Sequence, residues 1–332
     1  MPTPLPALTK DSIQLADWIE LQALTSGDGS ANTGQLERAL RRTGTFDPDA
    51  PEEGEVPHDS DHGLIEGKVD EVFAELEDRA QAADSAYPFE VSRAEVKTKG
   101  HIEQYIPYVF CLCLSMFGDG AKRLNIQKDD DGDPADDLPT YPRRLFEHIA
   151  TIAAANYIGG EAVRFGSPRR GMSPSFIDAL NELSWSHLHE GDGYNNDPIF
   201  GSKDRHLDIV AWKDFPDQRT SKLVLFGQCA TNKDDGWHSK KPELQTGVFW
   251  GNWIKGAAVS ELIRAFFIPH RVTSEEWDMH AREAGLFFDR CRVARFASMA
   301  ADRSLTHDSG DWDSCLEWVS KMMSVGEETA AE

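Results

Sequence analysis

Two polar side chains interrupt otherwise apolar, alternating segments of this chain: Asp208 in HLDIVAW and Gln228 in KLVLFGQCA. Alternation of this kind predicts strands, in which every second residue shares a face. The polar KDFPDQRTS between them, with Pro216, suits a hairpin connection. A hairpin symmetric about residue 218 sets Asp208 opposite Gln228 on one face, about 5 Å apart. Among Ile, Val, Leu and Phe, such groups are costly unless something binds them. A divalent cation is one partner, taking a carboxylate and an amide oxygen. A hydrogen-bonded structural pair is the other. Glu147 adds a second carboxylate at the edge of an apolar helical stripe, where it can reach a cleft beside the core or stay solvated.

Other chemical candidates are narrower. The acidic run KDDDGDPADDL, from Lys128 to Leu138, resembles a calcium loop only superficially. With Gly132 at the sixth position, Gln127 and Leu138 occupy the first and twelfth, so both end ligands of an EF-hand are missing. His187 and His189 in SHLHE lack a nearby third ligand. Five cysteines, at 111, 113, 229, 291 and 315, form no CxxC pair and suggest a reducing compartment without a disulfide framework.

The elements that position these groups follow from periodicity. Thr140 can cap a helix with Pro142 in its first turn and Phe146, Ile149, Ala150, Ala153 and Tyr157 as its stripe, ended by Gly159 and Gly160. Upstream, Asp11 or Ser12 can cap a helix with Ile13, Leu15, Ala16, Ile19 and Ala23 on its apolar face. Residues 44–63 read as a polar connection before an amphipathic helix from about Gly63 to Ala83. Tyr87–Val91 is a possible strand, and His101–Phe117 a buried helix. Downstream, Trp250 and Trp253 in TGVFWGNWI are expected in the core rather than stacking on bases. Asp289 and Arg290 are expected to form an internal ion pair.

Charge bounds the function. The 332 residues carry 57 acidic and 34 basic side chains, net -23, which excludes a simple basic protein that coats nucleic acid. Residues 1–138 hold net -17, residues 139–300 net zero and residues 301–332 net -6. The neutral block, with Arg143, Arg144, Arg164 and the GSPRRG loop carrying Arg169 and Arg170, can meet phosphates, while the acidic flank competes for the same surface or solubilises the chain. The longest apolar stretch, Ile106 to Phe117, is too short to span a bilayer and no signal-like segment opens the chain, so a soluble, cytoplasmic protein is expected.

Over roughly residues 140–295 the chain resembles the PD-(D/E)XK nuclease superfamily, which includes restriction endonucleases and bacterial defence nucleases. The resemblance rests on FEHIATIAAANYIGG as leading helix, HLDIVAW as the strand with the motif aspartate, and LVLFGQCATNK as the strand with the second ligand. It implies a central mixed sheet flanked by helices and Glu147, Asp208 and Gln228 as metal-site residues. It also implies Mg²⁺ as cofactor, with Mn²⁺ as a substitute, and hydrolysis of nucleic-acid phosphodiesters, with DNA the expected substrate. The family places a lysine two residues after the second ligand, where this chain has Ala230. Lys233 is the first candidate to replace it as a catalytic group, followed by Lys240 and Lys241.

The expected architecture is α/β: a mainly helical acidic module over 1–127, an acidic linker over 128–139, a restriction-endonuclease-like domain over 140–300, and an acidic extension over 301–332. The expected function is a Mg²⁺-dependent endonuclease in restriction or anti-phage defence. Its rivals are a non-catalytic nucleic-acid-binding or regulatory protein retaining the nuclease fold, and an acidic module for protein partners.

Overall fold

The computed structural model describes residues 11–42, 59–118, 142–195, 206–232, 236–300, 303–305 and 309–324. Thr140, the acidic run over 128–138, residues 44–58 and Lys233 lie outside the described residues.

The N-terminal region is mainly helical. Asp11 caps α1 (Ser12–Thr25) by accepting from the Ile13 N–H at 2.9 Å, and α2 (Thr33–Arg42) and α3 (Asp59–Ala83) follow. Three short strands, β1 (Ser30–Asn32), β2 (Phe89–Val91) and β3 (Glu95–Thr98), form an antiparallel sheet with β3 in the middle. The buried helix α4 (Ile106–Phe117) begins after a 3₁₀ turn over 102–105, with Pro107 in its first turn where a missing N–H costs nothing.

The second half is built on a five-stranded mixed sheet. Helix α5 (Pro142–Ile158) leads into β4 (Glu161–Arg164), α6 (Phe176–Glu182), β5 (Ile209–Lys213), β6 (Leu223–Cys229) and α7 (Thr246–Trp253). Then come β7 (Glu261–Phe267), α8 (Ser274–Ala284), β8 (Leu286–Phe288), α9 (Arg290–Ala297) and α10 (Ser309–Ser324). The strand order is β4-β5-β6-β7-β8, antiparallel across the first three and parallel across the last three. Strand alternation divides its side chains between two helical layers. Ile209, Ala211, Leu225 and Phe267 join the cluster containing Ile149 and Ala153 of α5, Phe110 of α4, Val293 of α9 and Trp318 of α10. Val210, Trp212, Val224 and Phe226 pack instead with Leu180 of α6 and Phe249, Trp250 and Trp253 of α7. The two tryptophans are 3% exposed, as expected of core residues. Tyr157 departs from its expected place in the α5 stripe: it is 43% exposed, and its ring edge meets Phe288 and Phe296.

The charge boundaries read from the sequence are not packing boundaries. Tyr108 and Leu112 of α4 share a cluster with Cys291 and Ala294 of α9, and Leu21 of α1 lies in the same cluster as α5. A buried polar network crosses the junction. Arg290 binds Asp17 through two hydrogen bonds of 2.6 and 2.8 Å, Arg79 donates to Asp17 at 2.7 Å and to Glu20 at 2.9 Å, and Tyr87 and Tyr108 donate to the other Glu20 oxygen. Asp289 and Arg290 therefore do not pair with each other. Asp289 caps α9 by accepting from the Arg292 N–H and also accepts from Arg271, which turns its carboxylate away from its neighbour.

No helix among the described residues is long and apolar enough to cross a membrane.

Candidate functional site

Pairing of β5 with β6 has the register that symmetry about residue 218 requires, with Ile209 opposite Gly227 and Lys213 opposite Leu223. Asp208 extends this ladder by one residue: its N–H donates to the Gly227 carbonyl at 2.9 Å, and its own carbonyl accepts from the N–H groups of Phe165 and Gly166 at 2.7 and 3.1 Å. The Asp208 backbone is thus fixed between β6 and the exit of β4. Its side chain is fixed as well, because Oδ2 accepts from the Cys229 N–H at 2.7 Å.

Glu147 reaches the same place from α5. Gly166 marks the meeting point: a Cβ added there would lie 3.1 Å from Glu147 Oε2 and 3.3 Å from Asp208 Oδ1. A residue with a side chain would crowd the space between the two carboxylates. Glu147 Oε2 also accepts from Arg164 Nη1 at 3.0 Å, and Arg164 Nη2 donates to the Pro168 carbonyl. Among the described residues, the two carboxylates and one guanidinium carry a formal charge of -1. The Cys229 thiol senses it: burial, then the charges of Asp208 and Glu147, push its pKa well above the usual thiol value, against a smaller opposing effect from Arg164. A thiol held protonated in this way is a poor nucleophile.

Gln228 departs from the expected grouping. The β5–β6 register ends at Ile209 opposite Gly227, and the Gln228 amide NH₂ donates to Glu243 Oε2 at 2.8 Å, with Glu243 in turn paired with His206 at 3.2 Å. Gln228 Oε1 is buried with no hydrogen-bond partner among the described residues. The Asp208 carboxylate has turned instead to the Cys229 N–H, a stronger, charge-assisted acceptor geometry.

Arg164 is a correction. As a phosphate-tracking residue it should face solvent, yet it is 6% exposed and ion-paired, because the end of β4 points it at Glu147. Arg143 is exposed and Arg144 half-buried in the first turn of α5. Arg169 is half-buried, with its guanidinium over the rings of Phe165 and Phe176. Arg170 is exposed and binds Asp311 of α10, in the C-terminal extension, at 2.7 Å. Asp311 also approaches His148 Nδ1, at 3.5 Å.

The lysines are disposed unevenly. Ala230 is 1% exposed in an apolar cluster with Trp237, Phe266 and Ile268. Lys241 is buried, held by Glu283 and by His280 Nδ1, both at 2.7 Å, and Lys240 is half-buried in the 3₁₀ turn over 238–240. His187 pairs with Glu182, and His189 Nδ1 contacts the Trp185 carbonyl, so the SHLHE motif is engaged locally.

The donor set suits a hard cation. Mg²⁺ commonly takes one or two carboxylates and completes its shell with water and substrate phosphate. Glu147 and Asp208 supply two carboxylates, while the Gln228 side chain is engaged with Glu243. Among the described residues no group of three or more His, Cys, Asp or Glu side chains forms an all-protein cage.

Sequence reasoning reached Glu147, Asp208 and Gln228 but missed Gly166, Glu243 and the Cys229 N–H. A backbone donor has no sequence signature. Gly166, directly after the apolar end of β4, was a readable signal for close approach. Comparison with protein-family models, with curated proteins and with solved structures finds no match to this chain.

Proposed function

We propose that the chain is a Mg²⁺-dependent endonuclease of the PD-(D/E)XK type, cleaving DNA phosphodiester bonds in the cytoplasm as part of restriction or anti-phage defence. The observation that carries this reading is the convergence of Glu147 and Asp208 on one point beside Gly166, from a helix and a strand end that lie far apart in sequence. The mixed sheet between helical layers is what the resemblance implies for the scaffold.

Glu147 and Asp208 would hold the metal. When bound, Mg²⁺ polarises a phosphate oxygen and lowers the pKa of a water. The protein supplies the rest. The Cys229 N–H fixes the Asp208 carboxylate so that Oδ1 keeps its orientation towards Glu147. Arg143, Arg144, Arg169 and Arg170 would take neighbouring phosphates and set the register of the strand without reading its sequence.

The test is cleavage of duplex and single-stranded DNA and RNA with Mg²⁺ or Mn²⁺, compared between the wild type and Asp208→Ala. Metal-dependent cleavage that Asp208→Ala abolishes is expected; cleavage unchanged by the substitution overturns the reading.

A second reading has its own observation. Ala230 sits in a packed apolar cluster where the family has a lysine, and the Gln228 amide is tied to Glu243, which together favour a binding protein that retains the scaffold without turnover. Tight binding to nucleic acid without cleavage in either metal supports it. The -17 block over residues 1–138 offers such a protein an acidic surface for a protein partner.

A further inference from the structure

The site keeps a cation although the motif lysine is absent. Arg164 is the last residue of β4, paired in register with Ile209, so it stands beside Asp208 as well as facing Glu147. Its guanidinium uses one arm on Glu147 Oε2 and the other on the Pro168 carbonyl of the GSPRRG loop. The charge is permanent, since a guanidinium does not lose its proton at accessible pH, and the rigid planar fork aims separate N–H groups at its two acceptors. Burial strengthens the pair: the Arg164 side chain is 7% exposed and that of Glu147 17%.

Resting on the nuclease reading above, we propose that Arg164 is a resident cation of this site, a positioning residue that acts through Glu147. By half-neutralising Glu147 it sets the affinity of the carboxylate pair for a divalent cation. By gripping Pro168 it ties the loop that carries Arg169 and Arg170 to the same carboxylates. The Ala230 position cannot serve, because it is enclosed by Trp237, Phe266 and Ile268. Lys241 does not serve either, being committed to Glu283 and His280.

The direct test needs no nucleic acid. Mn²⁺ is titrated into the full-length protein and unbound Mn²⁺ is followed by electron paramagnetic resonance, for the wild type, Arg164→Gln, Arg164→Lys and the double variant Arg164→Gln/Glu147→Gln. Circular dichroism melts establish that each is folded. Arg164→Gln is expected to bind Mn²⁺ at least about fivefold more tightly, because Glu147 regains its full charge. Arg164→Lys, which keeps the charge, should stay within about twofold of the wild type, and the double variant should lose the gain. If Arg164→Gln does not fold, Arg164→Lys decides the matter: an affinity shifted by more than about threefold overturns the proposal. DNA cleavage is then measured on the same preparations and should fall at least about tenfold in Arg164→Gln.

The two readings separate cleanly. Tighter Mn²⁺ binding by Arg164→Gln with no cleavage by any protein sinks the nuclease reading and leaves the role of Arg164 standing. Cleavage by the wild type with unchanged Mn²⁺ affinity in Arg164→Gln does the reverse. No Mn²⁺ binding by either protein overturns both.

Discussion

Arg290, in the first turn of α9, binds both carboxylate oxygens of Asp17 in α1, across 273 residues of sequence and with the guanidinium fully buried. Such a pair is not a net source of stability by itself, since two desolvated ions roughly offset their attraction, but removing one partner strands the other. Asp17→Asn is therefore expected to destabilise the fold by about 3–5 kcal/mol in urea or thermal unfolding. Burial pushes the Asp17 pKa up, and Arg290 and Arg79 outweigh it, holding the carboxyl at about 2 against 3.8 unfolded. A carboxyl depressed in the folded state contributes stability above its unfolded pKa and loses it as pH falls through the folded one. The stability gap between wild type and Asp17→Asn should thus shrink between about pH 4 and pH 2. A constant gap across that window would show that Asp17 does not carry the charge.

The same clasp bears on truncation. Removing residues 1–138 strips α1 and α4 from the helices they pack on and leaves Arg290 buried without Asp17. A 139–332 fragment is expected to lack a cooperative melt and to expose apolar surface to a reporter dye. A cooperative transition near that of the full chain would mean that the second half folds by itself.

Gly166 gives a probe of the site that leaves every charge in place. A Cβ at this position comes within 3.1 Å of Glu147 Oε2 and 3.3 Å of Asp208 Oδ1, closer than ordinary van der Waals contact, so one carboxylate must move by a few tenths of an ångström. Gly166→Ala should weaken Mn²⁺ binding and lower cleavage by at least about tenfold, because displacements of this size are costly in a preorganised site. Its melting temperature should stay within about 2 °C of the wild type, since both neighbours are side-chain ends. Unchanged metal affinity would show that the two carboxylates do not work as a pair.

Why some of this was legible in the sequence and some was not follows from the range of the interactions. Alternation in HLDIVAW and KLVLFGQCA, with one polar loop between them, contains the full register of β5 and β6, because strand faces and hairpin symmetry are local properties. The partner of Gln228 was hidden because Glu243 belongs to a loop whose path the strands do not dictate. Arg164 read as a surface arginine because β4 has only four residues, too few for alternation to show, and the adjacent GSPRRG made a basic surface loop the simpler reading. The burial of Asp17 and Glu20 was not legible, because the arginines that make it tolerable, Arg79 and Arg290, have no sequence proximity to reveal them. The mixed α/β class was legible, and the shared core joining α1 and α4 to α9 was not.

Asp311 makes the final prediction, because it occupies a cation that the proposed function assigns to DNA. Its carboxylate binds Arg170 at 2.7 Å and approaches His148, the neighbour of Glu147 in α5, while the Arg170 side chain remains 54% exposed. On the proposed function, Asp311 and a phosphate therefore compete for one guanidinium. Asp311→Asn should tighten binding of a fluorescent duplex a few-fold at about 0.1 M salt, where the Debye length is about 10 Å. It should also steepen the dependence of log K on log salt by about 0.9, the increment for one further phosphate contact. Arg170→Ala should weaken binding and flatten the same slope by the same amount. The double variant should then match Arg170→Ala, since the competitor has nothing left to compete for. Additive effects of the two substitutions would show that Asp311 acts on DNA binding through the general field of the helix instead of through Arg170.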